Sequence, residues 1–311
     1  MGLKITEENL FRFGQIEFIA RQVVEGFVTG LHKSPYHGFS VEFAEHRLYN
    51  PGESTRNIDW KVFGKTDKLF VKRFEEETNL RCQIVIDCSS SMYFPSINNP
   101  GIDNLNKIGF SVFSAASIMQ LMKKQRDAVG LSLFSDKVTL STPVKSSTSH
   151  HSFLTHELES LLNKKDKIQN INTSAAECLH QIAETIHKRS LILVFSDMFE
   201  DPSKQEQMFT ALQHLKHNKH EVVLFHVTDV DRELKLNYPN RPYRFVDMES
   251  GEEIKLNPAE IRESYEASTN SFFKKLKEKC YQYKIDYVNA DLKYGFDKVL
   301  LNYLLKRQKL Y

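Results

Sequence analysis

Apolar residues change their spacing twice along the chain, and each change marks a different kind of structure. Residues 7 to 31 carry Phe11, Ile16, Ile19, Val23, Val24 and Phe27 at helical intervals, which predicts an amphipathic helix. Between residues 34 and 80 that rhythm is lost. The segment mixes aromatic and charged residues around a Pro51-Gly52 turn signal and predicts short strands near 39–48 and 69–75. From residue 81 short apolar runs alternate with longer amphipathic stretches. The runs predict strands over 82–87, 128–134, 137–141, 190–196, 221–227 and 284–288. The stretches predict helices over 104–125, 151–163, 174–188, 203–218, 259–282 and 296–308. Ser135-Asp136-Lys137 reads as a tight turn between two strands, and Tyr243 to Leu256 as an inserted hairpin turning at Glu249-Ser250-Gly251. In the first of these helices Ile108, Val112, Ala115, Met119 and Met122 recur at helical spacing and are assigned to the core.

Strands alternating with helices imply an α/β fold, with a mostly parallel central sheet covered on both faces. Two parts are expected: residues 1–80 as an N-terminal segment of helix and short strands, and residues 81–311 as the α/β domain carrying the 243–256 hairpin. A chain of 311 residues with 41% hydrophobic content can bury a sizeable core. The formal net charge of +2 gives no electrostatic footprint for nucleic acid. Cys82, Cys88, Cys178 and Cys280 form no C-x-x-C pair and no disulfide framework, so they read as reduced, buried thiols of a cytoplasmic protein. No run approaches the length of a membrane span. The start, Met1-Gly2-Leu3-Lys4-Ile5-Thr6, has no apolar signal core, although it fits the short myristoylation pattern.

The most informative segment is Ile84-Val85-Ile86-Asp87-Cys88-Ser89-Ser90-Ser91-Met92. A strand buried on both faces of a parallel sheet has such a wholly apolar run. Asp87 then stands where the strand leaves the sheet, the edge at which open α/β sheets bind ligands. Asp197 follows a second apolar run, Leu191 to Ser196, and leaves at the same edge if the strands are parallel. Thr173 precedes the helix beginning near Ser174, so its loop lies there too. Carboxylates and hydroxyls together make an oxygen-only set suited to a hard cation such as Mg²⁺. The same residues also have a simpler use, because Ser89, Ser91 and Thr173 could cap backbone N–H groups and Asp197 could cap the turn after it.

Asp87-Cys88-Ser89-Ser90-Ser91, Thr173 and Asp197 resemble the metal-ion-dependent adhesion site of von Willebrand factor A domains, whose pattern is D-x-S-x-S, then a threonine, then an aspartate. The resemblance implies a Rossmann-like von Willebrand factor A-type domain holding Mg²⁺ or Mn²⁺. Ser89, Ser91 and sometimes Thr173 would bind the ion directly, and Asp87 and Asp197 often through water. An open coordination position would be completed by an acidic side chain of a partner protein. Upstream, Arg47-Leu48-Tyr49-Asn50-Pro51-Gly52-Glu53, Arg56-Asn57-Ile58-Asp59-Trp60-Lys61 and Phe70-Val71-Lys72-Arg73-Phe74-Glu75 are similar to the signature of the bacterial domain-of-unknown-function-58 family. Phe245-Val246-Asp247-Met248-Glu249-Ser250-Gly251-Glu252 and Tyr265 continue the likeness. Glu53 stands where the family usually has aspartate, and Gly64-Lys65 where it has alanine-arginine or serine-arginine. That resemblance implies an adaptor working with a MoxR-type AAA+ ATPase. Many members carry membrane helices at the start; this chain shows none, so anchoring is not carried over.

Enzymatic readings find less support. Haloacid-dehalogenase-type phosphatases need a second aspartate where Ser89 stands, and a serine cannot do that proton work near neutral pH. No G-x-S-x-G elbow or Gly-rich phosphate loop occurs. No nucleophile–base pair can be named, so the chain is expected not to be an enzyme; the alternative is a Mg-dependent phosphoesterase using the same Asp/Ser/Thr cluster. Trp60 is expected in the core, with Asp59 paired to Arg56, Lys61 or a backbone donor, and a docking role for Arg56–Lys61 as the other possibility. His214, His217 and His220 are assigned to a solvated helix end rather than a zinc site. His150 and His151 are expected to begin a helix.

Overall fold

The computed structural model describes residues 15–30, 45–49, 60–73, 80–97, 102, 104–163, 175–199, 202–248 and 251–310. The chain divides into two compact units, residues 1–35 with 81–311, and residues 36–80. Helix α1 (Gln15–Gly30), expected as part of 7–31 and grouped with the 1–80 segment, belongs to the larger unit. It packs against the helix Lys107–Gln125, and its Ile16, Ile19, Val23, Val24 and Phe27 are all buried. Phe11 lies outside the described residues.

In the smaller unit β1 (Glu45–Leu48) pairs antiparallel with β2 (Phe70–Arg73), Glu45 opposite Arg73. The Tyr49 N–H extends the ladder to the Leu69 carbonyl at 2.9 Å. Helix α2 (Trp60–Thr66) separates the strands in the chain. Trp60, expected in the core, is 61% exposed. It is the first residue of a seven-residue helix with no buried position, and its ring meets Phe63 edge-on at 6.1 Å. Asp59 and Arg56 lie outside the described residues.

The larger unit continues with β3 (Arg81–Asp87), α3 (Lys107–Gln125), β4 (Ala128–Phe134), β5 (Val138–Ser141), α4 (Thr148–Asn163), α5 (Ala175–Thr185), β6 (Leu191–Ser196), α6 (Gln205–Lys216) and β7 (Glu221–Thr228). It closes with the hairpin β8 (Tyr243–Val246) and β9 (Glu253–Leu256), then α7 (Pro258–Gln282), β10 (Asp286–Asp291) and α8 (Phe296–Leu310). Six strands form one sheet in the order β10-β7-β6-β3-β4-β5. All neighbours are parallel except β5, which returns antiparallel along β4 through the expected Ser135–Lys137 turn. The chain winds outward from β3 to β4 and β5, then reverses to the other side of β3 with β6. That reversal makes a topological switch point between β3 and β6.

Strand side chains divide between two layers with period two. Val85, Ile192, Val194, Val222 and Leu224 join α5, α6 and the Leu276–Cys280 part of α7. On the other face Phe195 stacks on Phe225 at 4.6 Å, Phe225 meets Tyr303 of α8, and Phe113 of α3 stacks on Phe296. Burying each such ring contributes about 1.5–3 kcal/mol. Helix α3 is buried on all sides through its first sixteen residues, including the five positions assigned to the core. It begins at Lys107, not 104, because the Asn106 side chain accepts the Gly109 N–H and caps it there. It ends where Arg126 turns left-handed, at φ 60°.

Two expectations shift. The last strand, expected over 284–288, runs Asp286–Asp291, because Lys284 at φ 57° is still unwinding α7. His214, His217 and His220, assigned to a solvated helix end, do not all lie there. Helix α6 stops at Lys216 and Asn218 turns left-handed, so His220 swings inward. It is 2% exposed and its Nδ1 accepts the Ser190 N–H, whereas His214 contacts His180, Nδ1 to Nδ1, at 2.8 Å. None of the four cysteines forms a disulfide; Cys82, Cys178 and Cys280 are buried and Cys88 is half-buried. Burial pushes the Cys280 thiol up to about 12, so it stays protonated.

A candidate cation site at the sheet's switch point

Asp87 is the last residue of β3, and Asp197 is the first after β6, its hydrogen-bonded neighbour. The two carboxylates therefore leave the sheet side by side where its winding reverses. Both are buried, 4% and 1% exposed. The Cys88 N–H bonds the Phe134 carbonyl of β4 at 2.7 Å, which holds the chain in line as it exits. Ser89 then opens a 3₁₀ turn, Ser90–Tyr93.

The first loop is organised around Asp87. Its Oδ1 accepts the Ser89 backbone N–H at 2.9 Å, and its Oδ2 accepts the Ser196 hydroxyl at 2.7 Å. The Ser89 hydroxyl makes no capping bond to the 3₁₀ turn; it stands 3.1 Å from the Ser91 hydroxyl. The capping role open to Ser89 is thus not the one it takes. Burial, and then the nearby Asp197 charge, raise the Asp87 carboxyl to about 6, against the bonds from Ser196 and Ser89 that lower it.

Asp197 takes the capping role the sequence allowed and gains a partner the sequence did not suggest. Its Oδ1 accepts the Phe199 N–H at 3.2 Å and so caps the following turn. Its Oδ2 accepts a 2.7 Å bond from the Lys107 ammonium. Met198, buried and left-handed at φ 53°, links the two through its N–H to the Ser196 hydroxyl at 3.0 Å. A non-glycine residue held there costs about 1–2 kcal/mol. Thr173 lies outside the described residues.

Three further residues complete the site and carry no motif. Lys107, the first residue of α3, is fully buried and also reaches Glu233 Oε1 at 2.5 Å. Burial opposes its charge, but the Asp197 and Glu233 carboxylates outweigh it and hold the ammonium above the usual lysine range. Glu233 sits on a π-helical turn, Val230–Leu234, just past β7, and its Oε2 accepts the Asp229 N–H at 2.9 Å. His226 of β7 lies 2.8 Å, through Nε2, from the Asp197 carbonyl and 2.7 Å, through Nδ1, from the Tyr287 hydroxyl. A carbonyl can only accept, so Nε2–H donates to it and Nδ1 accepts the tyrosine O–H. Burial lowers the imidazole to about 4, which keeps it neutral. A lysine in the first turn of an apolar helix, where it opposes the helix dipole, is the sequence signal that could have flagged Lys107.

The donor set fits a divalent cation. Two hydroxyl oxygens face each other beside two buried carboxylates, all hard ligands. Asp87, Asp197 and Glu233 bring three negative charges to this edge against the one positive charge of Lys107. A divalent cation would balance that excess of two negative charges.

The fold and site together define an α/β protein with a cluster of carboxylates and hydroxyls at the carboxyl end of a mostly parallel sheet. Residues 45–272 match the family described as protein of unknown function DUF58, and the chain belongs to that family. Uncharacterized proteins of Mycobacterium tuberculosis and Mycobacterium bovis are 22% identical over 214 residues, 69% of this chain. The chain spans 63% of the length of those relatives. Among solved structures, the conserved hypothetical protein BatB of Bacteroides thetaiotaomicron is 14% identical, with a TM-score of 0.42 over 74% of this chain and 99% of that one. An aerotolerance-related membrane protein of Bacteroides fragilis, solved with multiple mutations to serines, is 13% identical with a TM-score of 0.42 over 75% and 100%. Among the described residues, no helix is long and apolar enough to cross a membrane.

Proposed function

We propose that this chain is a cation-dependent protein-interaction module of the von Willebrand factor A type, binding Mg²⁺ or Mn²⁺ through Ser89 and Ser91 with Asp87, Asp197 and Thr173. The observation that carries the proposal is the meeting of Asp87, Ser89, Ser91 and Asp197 at the switch point, with negative charge in excess of what Lys107 balances. The strand order supports the same reading, because the sheet reverses where those residues stand. A bound ion held partly by neutral hydroxyls keeps much of its charge, and that charge attracts a carboxylate from a partner. His226 and Ser196 position the two aspartates; they do not compete for the ion. A MoxR-type ATPase as the associated machine is proposed on the family resemblance.

The test is capture of partners from lysate of the source cell by the immobilised chain, in Mg²⁺ and in EDTA, with Ser89→Ala beside the wild type. Retention of a defined partner that needs Mg²⁺ and is lost in Ser89→Ala is expected, with the variant's unfolding free energy in EDTA within about 1 kcal/mol of wild type, the size of one hydrogen bond. Capture that survives both EDTA and the substitution contradicts the proposal. Mg²⁺-dependent turnover of a generic phosphoester, lost in Asp197→Ala, would point to an enzyme instead.

A further inference from the structure

At the candidate site the ammonium is the group that the motif leaves unexplained. Lys107 has 0% side-chain exposure, and its Nζ lies between Asp197 Oδ2 and Glu233 Oε1 at 2.7 and 2.5 Å. The rings of Phe94 and Phe199 flank it at 5.8 and 5.5 Å. Its position is fixed from behind, because the Lys107 N–H bonds the Phe94 carbonyl at 3.0 Å and Asn106 caps the helix it begins. A positive charge in the first turn opposes the helix dipole, and burying an ammonium costs several kcal/mol unless it is well paired. Helix stability therefore does not account for this lysine, whereas the carboxylates around it do.

We infer that Lys107 is a built-in counter-ion that sets the affinity of the Asp87/Ser89/Ser91/Asp197 site for its divalent cation, neutralising Asp197 when the ion is away and opposing the ion when it binds. The inference rests on the cation reading given above. An ammonium and a dication close to the same carboxylate repel each other, so the ion binds less tightly than the acidic cluster alone would allow. In return, the metal-free protein keeps the Asp197 and Glu233 carboxylates paired and stays folded. Glu233 has the opposite effect, because it draws part of the lysine's charge away from Asp197 and adds a negative charge of its own. The site thus has a loosening residue and a tightening one, neither of them a ligand in the motif. The consequence is a cation that exchanges readily, so that partner capture follows the free ion concentration.

The prediction is a pair of effects with opposite signs. Calorimetric titration of the full chain with MgCl₂ and MnCl₂ is compared for wild type, Lys107→Met and Glu233→Gln, alongside thermal unfolding of each in EDTA and in excess Mg²⁺. Lys107→Met is expected to bind about tenfold tighter or more, the effect of removing one nearby unit charge from a partly dry site. It should also lose stability in EDTA and recover it in Mg²⁺. Glu233→Gln is expected to bind more weakly by a similar factor. A variant with a purely structural role would weaken binding whichever of the two positions is changed. Lys107→Met binding as wild type does, or more weakly, overturns the inference, as does a shift of both variants in one direction. Folding of Lys107→Met only with Mg²⁺ supports it. Should that variant fold in neither condition, Glu233→Gln decides: weaker binding supports the inference, and unchanged or tighter binding overturns it. Ion binding by wild type without tightening in Lys107→Met sinks this inference alone, whereas no binding by wild type or by Lys107→Met sinks the cation reading with it.

Discussion

Asp87→Asn offers a test in which the expected sign runs against intuition. Asp87 is buried, and its carboxyl is raised from the ordinary 3.8 to about 6. Holding it ionised in the metal-free fold at pH 7.5 therefore costs about 3 kcal/mol. An asparagine removes that charge and keeps the shape. It can still accept the Ser89 N–H, and its amide can donate to the Ser196 hydroxyl, reversing the present bond. The reversal costs about 1 kcal/mol, leaving a net stabilisation of about 2 kcal/mol in EDTA. The pH dependence has a fixed sign. Because the folded pKa lies above the unfolded one, the folded state holds the proton longer, and wild type loses stability as pH rises from about 4 to 6. The advantage of Asp87→Asn should therefore be lost by pH 4, where the ionisation cost has fallen to about 0.5 kcal/mol and no longer offsets the reversed bond. Urea unfolding of both proteins in EDTA at pH 4, 5, 6 and 7.5 measures this directly. Excess Mg²⁺ should reverse the order at pH 7.5 by stabilising only the wild type. An Asp87→Asn protein less stable than wild type at pH 7.5 in EDTA, or a pH-independent difference, would refute the claim that this aspartate is kept for an ion rather than for the fold.

Other outcomes follow from the same geometry. The His226 imidazole should remain neutral down to about pH 5 and titrate near 4 by NMR, and a midpoint near 6.5 would contradict its burial. Its contribution to stability is fully present above 6.5 and is lost as pH falls toward 4, by about 3 kcal/mol in all, opposite in sign to the Asp87 effect. Gly130→Ala should destabilise by about 1–3 kcal/mol in urea, because a Cβ there would stand 2.4 Å from the Gln83 amide oxygen and 3.0 Å from the Thr142 carbonyl. Gln83 cannot easily yield, since its Nε2 bonds the Ser132 hydroxyl at 2.9 Å, and a neutral substitution would refute that constraint.

The central sheet was legible in the sequence because β3, β4 and β6 are buried on both faces, so continuous apolar runs mark them. The same runs placed Asp87 and Asp197 at one edge, and the structure puts them on neighbouring strands. Boundaries were harder wherever a single residue decides them, as with the Asn106 cap that starts α3 and the left-handed Lys284 that delays β10. β10 also mixes polar residues with apolar ones, Asp-Tyr-Val-Asn-Ala-Asp, and so carries little periodic signal. Trp60 was misplaced because an aromatic residue in a mixed segment suits an exposed short helix as well as a core. Glu233 and His226 were not legible as site residues, and Lys107 only as a charge out of place in the first turn of an apolar helix. Lys107 and His226 reach Asp197, and Glu233 reaches Lys107, from three different elements, and only the winding of the sheet brings α3, the turn after β7 and β7 itself together there. The charge pattern of the site, as distinct from its ligand motif, is a tertiary property.

The most direct measurement is anomalous diffraction from crystals of the full chain grown with Mn²⁺. A single strong anomalous peak is expected at the switch point, in contact with the Ser89 and Ser91 hydroxyls and between Asp87 and Asp197. No peak at that edge in crystals soaked to millimolar Mn²⁺, with the Lys107 ammonium still seated on Asp197, would contradict it.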